Sequence, residues 1–172
     1  MDQKETYKYL KKFRDDVVKQ ARANLTRAGK RNSGKLYDSI DGEVQVMENS
    51  IGIYFDMAKP YGAFVDQGVN GVQRSWGSPY SFKAKMPPMS KLDKWIVSKG
   101  IAPKDKGGRF VKRKSLQFLI ARSIFRKGIK PSLFFTNAFE KAYKKLPNEL
   151  IDKYGLDVEK LVESTLKEIT KR

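Results

Sequence analysis

The chain contains no cysteine and no histidine among its 172 residues. Their absence excludes disulfide frameworks, Cys/His zinc sites, thiol nucleophiles and histidine-based catalytic triads. Carboxylates could still hold magnesium, but no glutamate is followed two positions later by lysine, so the Glu-x-Lys element common in nucleases is missing. The Gly107-Gly108-Arg109 stretch also lacks the Gly-Lys-Ser/Thr ending of a phosphate-binding loop. We therefore expect no enzyme activity, no catalytic or metal-binding residues and no cofactor.

Long apolar runs are also missing. No run approaches the roughly 20 residues that span a bilayer, and Met1 to Glu5 lacks the basic, apolar, small-residue order of a signal peptide. We expect a soluble protein made in a cytoplasm, with no membrane partner. Because 40% of the residues are hydrophobic, the chain can build a real core and is not typical of a disordered protein.

Basic residues outnumber acidic ones by 36 to 19, and the resulting net charge of +17 is unevenly distributed. Residues 1–35 carry a net +7, residues 36–103 are neutral, and residues 104–130 carry ten basic residues with Asp105 as the single acid. Such concentration favours a face turned toward polyanions over a merely solvated basic surface. The candidates for contact with nucleic acid are Lys106, Arg109, Lys112, Arg113, Lys114, Arg122, Arg126, Lys127 and Lys130.

Hydrophobic periodicity predicts an α+β fold. A first helix carries an apolar stripe from Tyr7 to Leu25 and ends near Gly29. The alternation between Val44 and Phe55 indicates a hairpin, and residues 82–86 alternate like a further strand. We expect a small antiparallel sheet with the N-terminal helix and several C-terminal helices packed against it.

The spacing of apolar residues in the C-terminal half predicts successive helices. One has its apolar face from Met89 to Ile96, and a second presents Leu116, Leu119, Ile120 and Ile124. A third follows Ser132 as its N-cap, and a last one begins near Asp157. This pattern predicts a main domain over residues 1–154 and a C-terminal helix over 155–172, which could dock on its own chain or on a neighbouring subunit.

Three segments in this order resemble the tail-completion proteins of tailed bacteriophages, which are also called neck, head–tail joining or minor tail proteins. They are residues 34–40 (Gly-Lys-Leu-Tyr-Asp-Ser-Ile), 61–68 (Tyr-Gly-Ala-Phe-Val-Asp-Gln-Gly) and 128–135 (Gly-Ile-Lys-Pro-Ser-Leu-Phe-Phe). The likeness covers roughly residues 5 to 146. The chain departs from the family pattern at Gly62, where relatives commonly have alanine, and at Asp66, where they have glutamate.

The resemblance implies a structural virion protein at the head–tail junction, made in the host bacterial cytoplasm. Such proteins form homo-oligomeric rings that join the portal or head connector to the tail tube or tail terminator, around the channel for packaged DNA. For the aromatic residues of segment 61–68, the sequence allows a subunit interface or a bend with a core role, and it favours the core. The subunit-interface or family-signature candidates are Tyr61, Gly62, Phe64, Gly68, Pro131, Phe134 and Phe135.

Two other functions remain open from the residues alone. A free-standing nucleic-acid-binding protein would use the same basic residues for non-specific phosphate contacts, although no helix-turn-helix or RNA-binding signature is present. A metal-dependent hydrolase would have to use Asp38, Asp41 and Glu43, for which a solvated turn is the simpler interpretation.

Overall fold

The fold is α+β, as the sequence predicts. The computed structural model describes residues 3–47, 50–57, 61–154 and 158–171. Its elements in chain order are α1 (Gln3–Arg27), α2 (Lys35–Ser39), β1 (Ile40–Met47), β2 (Ser50–Met57), α3 (Tyr61–Gln67), β3 (Val69–Asn70), a 3-10 turn (Met89–Lys91), α4 (Leu92–Ser98), α5 (Arg113–Lys127), β4 (Gly128–Ile129), α6 (Thr136–Tyr143), α7 (Asn148–Tyr154) and α8 (Val158–Lys171). None of the described helices is both long and apolar enough to cross a membrane.

The chain divides into two compact units. Unit 1 comprises Met1–Asp66 and Ser132–Arg172, and unit 2 is the inserted segment Gln67–Pro131. The sequence suggested a different division, at residues 154 and 155, which stays a prediction because residues 155–157 lie outside the described part. Within unit 1, α8 contacts α6 and β2, so the C-terminal helix docks on its own chain.

Helix α1 supplies one wall of the core of unit 1. Its buried stripe follows the predicted three- and four-residue spacing and consists of Leu10, Phe13, Val17, Ala21 and Leu25. The stripe packs against β1 and α6. At its first turn the prediction was wrong, because Thr6 is buried and Tyr7 is largely exposed. The helix ends as expected, with Gly29 in the left-handed conformation at φ 64°.

Strands β1 and β2 form the predicted antiparallel hairpin, in which Ile40 pairs with Met57 and Val44 with Ile53. The turn predicted at 48–50 falls largely on residues outside the described part. Within segment 34–40, residues 35–39 form the short helix α2 and only Ile40 belongs to the sheet. Leu36 on α2 and Ile40 are both buried. Segment 34–40 therefore contributes to the core of unit 1 at the point where β1 begins.

Four aromatic rings hold α1, β2 and α6 together. Phe13 and Phe139 meet edge to face with their ring centroids 5.1 Å apart, and Phe55 and Phe135 do so at 5.5 Å. Phe55 also contacts Phe13 and Phe139. Edge-to-face pairs of this kind add roughly 0.5–1.5 kcal/mol each beyond the area they bury, so this cluster stabilises the packing of α1, β2 and α6.

Unit 2 is closed by a backbone approach between β3 and β4 that only glycine permits. Gly68 has φ 72°, and a Cβ placed there would lie against the carbonyl oxygen of Ile129 and 2.7 Å from the nitrogen of Pro131. A Cβ at Gly128 would similarly strike the carbonyl oxygen of Val69. Gly68 and Gly128 therefore mark a close contact between two backbones.

The segment between β3 and the 3-10 turn is not a strand, so the strand predicted over residues 82–86 was wrong. Asn70 organises the loop that precedes these residues. The Asn70 side chain donates to the carbonyl of Ser78 at 2.6 Å and accepts from the N–H of Trp76 at 2.7 Å. Ser81 makes only an isolated bridge to Asn70.

Helices α4 and α5 complete unit 2 on a small core that includes Ile96, Leu116 and Ala121. The predicted apolar face of α5 holds only in part. Leu116 is buried, but Leu119 is 54% exposed and Phe118 beside it is 42% exposed. The outward face of α5 thus carries apolar side chains that the core of this unit does not use.

Substituting Gly68 with alanine should cost about 3 kcal/mol or more, because the backbone strain of a positive φ adds to a clash with fixed backbone atoms. Gly77 is the matched control, since it has the same φ of 72° and open space around it. Alanine there should cost only about 1 kcal/mol. Urea denaturation of both variants measures the difference, and equal losses would contradict the close backbone approach.

Candidate functional site

The segment 61–68 forms helix α3 rather than the bend that the sequence suggested. Its Gly62 is buried. A Cβ at this position would lie 3.2 Å from the Met57 side chain and 3.3 Å from Leu36. Helix α3 therefore packs directly on the end of β2 and on α2, and the first two of the three signature segments meet here.

Asp66 joins α3 to the third signature segment. Its carboxylate is fully buried and accepts hydrogen bonds from the N–H of Phe135 at 2.8 Å, the N–H of Thr136 at 3.3 Å and the hydroxyl of Thr136 at 2.6 Å. These N–H groups stand at the start of α6, where a helix has no acceptors of its own. Asp66 thus acts as an N-cap supplied from a position about 70 residues earlier in the chain.

The predicted N-cap, Ser132, has a different role. Its hydroxyl donates to the carbonyl of Val65 at 2.6 Å, and its N–H donates to the carbonyl of Asp66 at 3.0 Å. Leu133 follows with φ 49°, an unusual conformation for a residue with a side chain. Sequence reasoning missed the role of Asp66, although the acidic position in the family pattern was a signal that could have revealed it.

Burial raises the pKa of the Asp66 carboxyl above its ordinary value of 3.8. The hydrogen bonds from Thr136 and Phe135 act against this and lower the pKa, while the nearby charge of Glu140 adds a smaller rise. Desolvation is the larger effect, because a buried carboxylate loses its hydration and has only three donors in exchange. The carboxyl is therefore easier to protonate in the folded chain than in the unfolded one.

The aromatic residues of the signature segments are placed differently from one another. Phe134 and Phe135 are fully buried in unit 1, so the subunit-interface alternative was wrong for them, and these two signature residues belong to the core. Tyr61 is 41% exposed, so the core role favoured for it was wrong. Phe64 and Pro131 are half-buried. Of the aromatic candidates, Tyr61 is thus the one whose ring is most available to a partner.

Charge separates sharply between the units. Unit 2 contains sixteen Lys and Arg residues against only Asp93 and Asp105, a net +14 of the chain's +17. Every one of these sixteen side chains is exposed. Both acids are already engaged: Asp93 lies 3.6 Å from Arg113, and Asp105 accepts from the N–H groups of its own loop. Most of the positive charge of unit 2 therefore has no partner within the unit.

The nine nucleic-acid-facing candidates all belong to unit 2 and all are exposed. They fall into two groups along α5. Lys106 to Lys114 lie before and at its start, whereas Arg122 to Lys130 lie in its last turns and beyond. At 1.5 Å rise per residue, about 20 Å separates Lys114 from Lys127. The sequence grouped them as one surface, but the structure distributes them to opposite ends of this helix.

The two groups of basic residues at the ends of α5 differ in whether the helix itself favours them. Arg126 and Lys127 stand in the last turn of α5, where cations interact favourably with the helix dipole. Lys112, Arg113 and Lys114 stand at the opposite end, where the first turn contains no acidic residue and a cation is unfavourable. Arg113 is compensated by Asp93 at 3.6 Å. Folding alone does not account for Lys112 and Lys114, whereas contact with an external anion would.

An exposed aromatic ring lies beside that cluster. Phe110 is 68% exposed, and it pairs with Lys104 through an isolated bridge that closes the loop between them. The ammonium group of Lys104 lies 5.2 Å from the centre of the Phe110 ring. An exposed aromatic ring next to a cation is an arrangement that nucleic-acid-binding proteins use to stack bases while neutralising phosphates.

The carboxylates considered for a metal site do not form one. Among residues 3–47, 50–57, 61–154 and 158–171, no group of three or more acidic side chains is close enough to hold a metal ion. Asp38 lies on α2, whereas Asp41 and Glu43 lie on the outward face of β1. This placement gives no support to the hydrolase alternative.

Comparisons with known proteins identify no relative. No family model matches the chain, and neither a curated protein nor a solved structure matches it. A function for this chain is therefore argued from its own residues and from the resemblance of its three segments.

Asp66 should give stability a distinctive pH dependence. Since the folded-state pKa is raised, the native state binds the proton more tightly, and this residue's contribution is present at low pH and lost as pH rises through the folded pKa. The unfolding free energy of the wild type minus that of Asp66→Asn should therefore fall as the pH rises above the ordinary carboxyl value of 3.8 and through the raised folded-state pKa. Urea denaturation across this range measures it, and a difference that rises with pH would contradict the raised pKa.

Asp66→Ala is the companion variant. It removes all three hydrogen bonds and leaves the buried N–H of Phe135 without an acceptor, which should cost about 2–4 kcal/mol at neutral pH. Asp66→Asn keeps an acceptor oxygen for the same N–H groups and should cost clearly less.

Proposed function

We propose that this chain is a structural subunit of the head–tail junction of a tailed bacteriophage, in which unit 2 faces the packaged DNA. Its partners would be further copies of itself in a ring, the portal or head connector, and the tail tube or tail terminator. The observation that carries the proposal is the net +14 of unit 2, which is wholly exposed and almost unpaired.

A conduit for packaged DNA must accept any sequence. Contacts to phosphates provide this, because they supply affinity without reading bases. The unfavourable cations at the start of α5 and the exposed Phe110 ring support such a contact. The balanced remainder of the chain, with a net +3 on unit 1, suits protein contacts within a particle.

The three signature segments support the family assignment in a second way. Within unit 1, segments 34–40 and 61–68 meet at Gly62 and Leu36, and segments 61–68 and 128–135 meet through Asp66 and Phe135. Residues that pack together in this way are constrained together, which is a physical reason for a family to share all three segments in this order.

A conditional mutant of the phage that encodes this chain tests the proposal. Under non-permissive conditions we expect DNA-filled or empty heads and separate tails, because the joint between them cannot form. Electron microscopy of the lysate gives the result, and supplying the wild-type protein in trans is the control. Normal tailed particles made without the protein would contradict the proposal.

A free-standing nucleic-acid-binding protein is the second candidate, and the same charge of unit 2 favours it. Both candidates predict DNA binding that weakens steeply with salt. In an electrophoretic shift assay, Lys106→Glu with Lys112→Glu and Lys114→Glu should weaken binding about tenfold or more, and equally for unrelated sequences. A matched triple variant at Lys83, Lys85 and Lys91 controls for net charge. Unchanged binding by the first variant would place the DNA contact elsewhere.

Loss of the whole protein has different consequences under the two candidates. A neck subunit must also join heads to tails, so the conditional mutant makes no joined particles even where DNA has been packaged. A free-standing binder leaves the assembly of heads with tails intact.

A further inference from the structure

The outward face of the β1–β2 hairpin is acidic, although the chain as a whole carries a net charge of +17. Asp41 lies directly opposite Asp56 in the register of the two strands, and Glu43 lies opposite Tyr54. All four side chains are exposed on the same face. Like charges at directly opposed positions destabilise a sheet, so the fold itself gains nothing from this arrangement.

These carboxylates lack cationic partners among the described residues. Arg14 reaches the same face, but it pairs with Asp15 at 2.8 Å and donates to the carbonyl of Gly42 at 2.9 Å. Together with Glu168 of α8, the hairpin residues line an open groove of about 750 Å³. The acids are too dispersed for a metal ion, since no such group exists among the described residues. An extended cationic surface fits them better.

Unit 2 carries a surface of complementary character on α5. Phe118, Leu119, Arg122 and Arg126 fall within about one third of the helix circumference at 100° per residue, and all four are exposed. Arg126 donates through Nε to Gln73 at 2.7 Å, which orients its guanidinium group. The face thus places two arginines beside two apolar side chains that the core of unit 2 leaves uncovered.

We propose that the outward α5 face of one copy docks on the acidic hairpin face of the next copy, in a head-to-tail contact. Arg122 and Arg126 then neutralise Asp41, Glu43 and Asp56, while Phe118 or Leu119 covers the Tyr54 ring. Because the acidic hairpin face and the basic α5 face of the same chain are complementary in charge, the partner on the hairpin face is a second copy of this chain. Because the two faces are different, the contact is heterologous and can close into a ring.

This inference deepens the proposed function, because it rests on the expectation of a ring and names the surfaces that form it. It also divides the basic residues between two tasks. The group from Lys106 to Lys114 stays available to DNA, whereas Arg122 and Arg126 serve the contact between copies.

Two charge-reversal variants of the full chain test the contact. The first carries Arg122→Glu and Arg126→Glu, and the second carries Asp41→Lys and Asp56→Lys. The control carries Lys91→Glu and Lys99→Glu, which change the charge equally at exposed positions of unit 2 outside both faces. All proteins are freed of nucleic acid with nuclease, and circular dichroism verifies that each is folded.

Sedimentation velocity at about 50 mM salt and up to about 100 µM protein gives the result, because low salt preserves interactions between surface charges. Wild type and control should associate, and the association should weaken as salt rises. Each reversal variant alone should associate about tenfold more weakly or worse. An equimolar mixture of the two variants should recover association, because a reversed α5 face then meets a reversed hairpin face.

Three results would overturn the inference: a monomeric wild type under these conditions, undiminished association by either variant, or a mixture of the variants that does not recover. These measurements use purified protein without phage. Their failure would therefore remove the proposed surfaces, whereas failure of the virion role would appear separately, as normal particles from the conditional mutant.

Discussion

The buried carboxylate of Asp66 is the constraint on which the rest of unit 1 depends. It is held at the end of α3 and accepts hydrogen bonds from Phe135 and Thr136 at the start of α6. This fixes the entry of α6 so that Phe135 and Phe139 point into the ring cluster with Phe55. A carboxylate without these donors could not be buried, and the helix without Asp66 would begin with unsatisfied N–H groups.

Unit 2 is inserted between Asp66 and Ser132, and the two units differ in core and in charge. Unit 1 has an aromatic core and a nearly balanced charge, whereas unit 2 has a small core and carries most of the positive charge. Glycines at positions 68 and 128 close unit 2 just beyond the residues that Asp66 organises. Backbone contacts between β3 and β4 thus close unit 2 where its two ends meet, and its cations remain exposed to external anions.

Hydrophobic periodicity correctly predicted the elements whose structure depends on the local sequence. The stripe of α1, the β1–β2 hairpin and the end of α1 at Gly29 follow from spacing and φ preference. The prediction failed where contacts between distant residues determine the structure. Residues 82–86 alternate without forming a strand, and Asn70 organises the loop before them. Ser132 was predicted as an N-cap that Asp66 provides instead, and Phe134 and Phe135 were interface candidates although the core buries them. The uneven charge was visible in the sequence, but its confinement to a separate unit was not.

We propose that this chain builds a virus particle at the joint between head and tail. Quantitative mass spectrometry of purified virions tests it most directly, by measuring copies of this chain relative to the portal and tail-tube proteins. The account predicts that the chain co-purifies with both in a fixed ratio through successive gradients. Its absence from particles that contain portal and tail-tube proteins, while it is abundant in the infected cell, would contradict the claim.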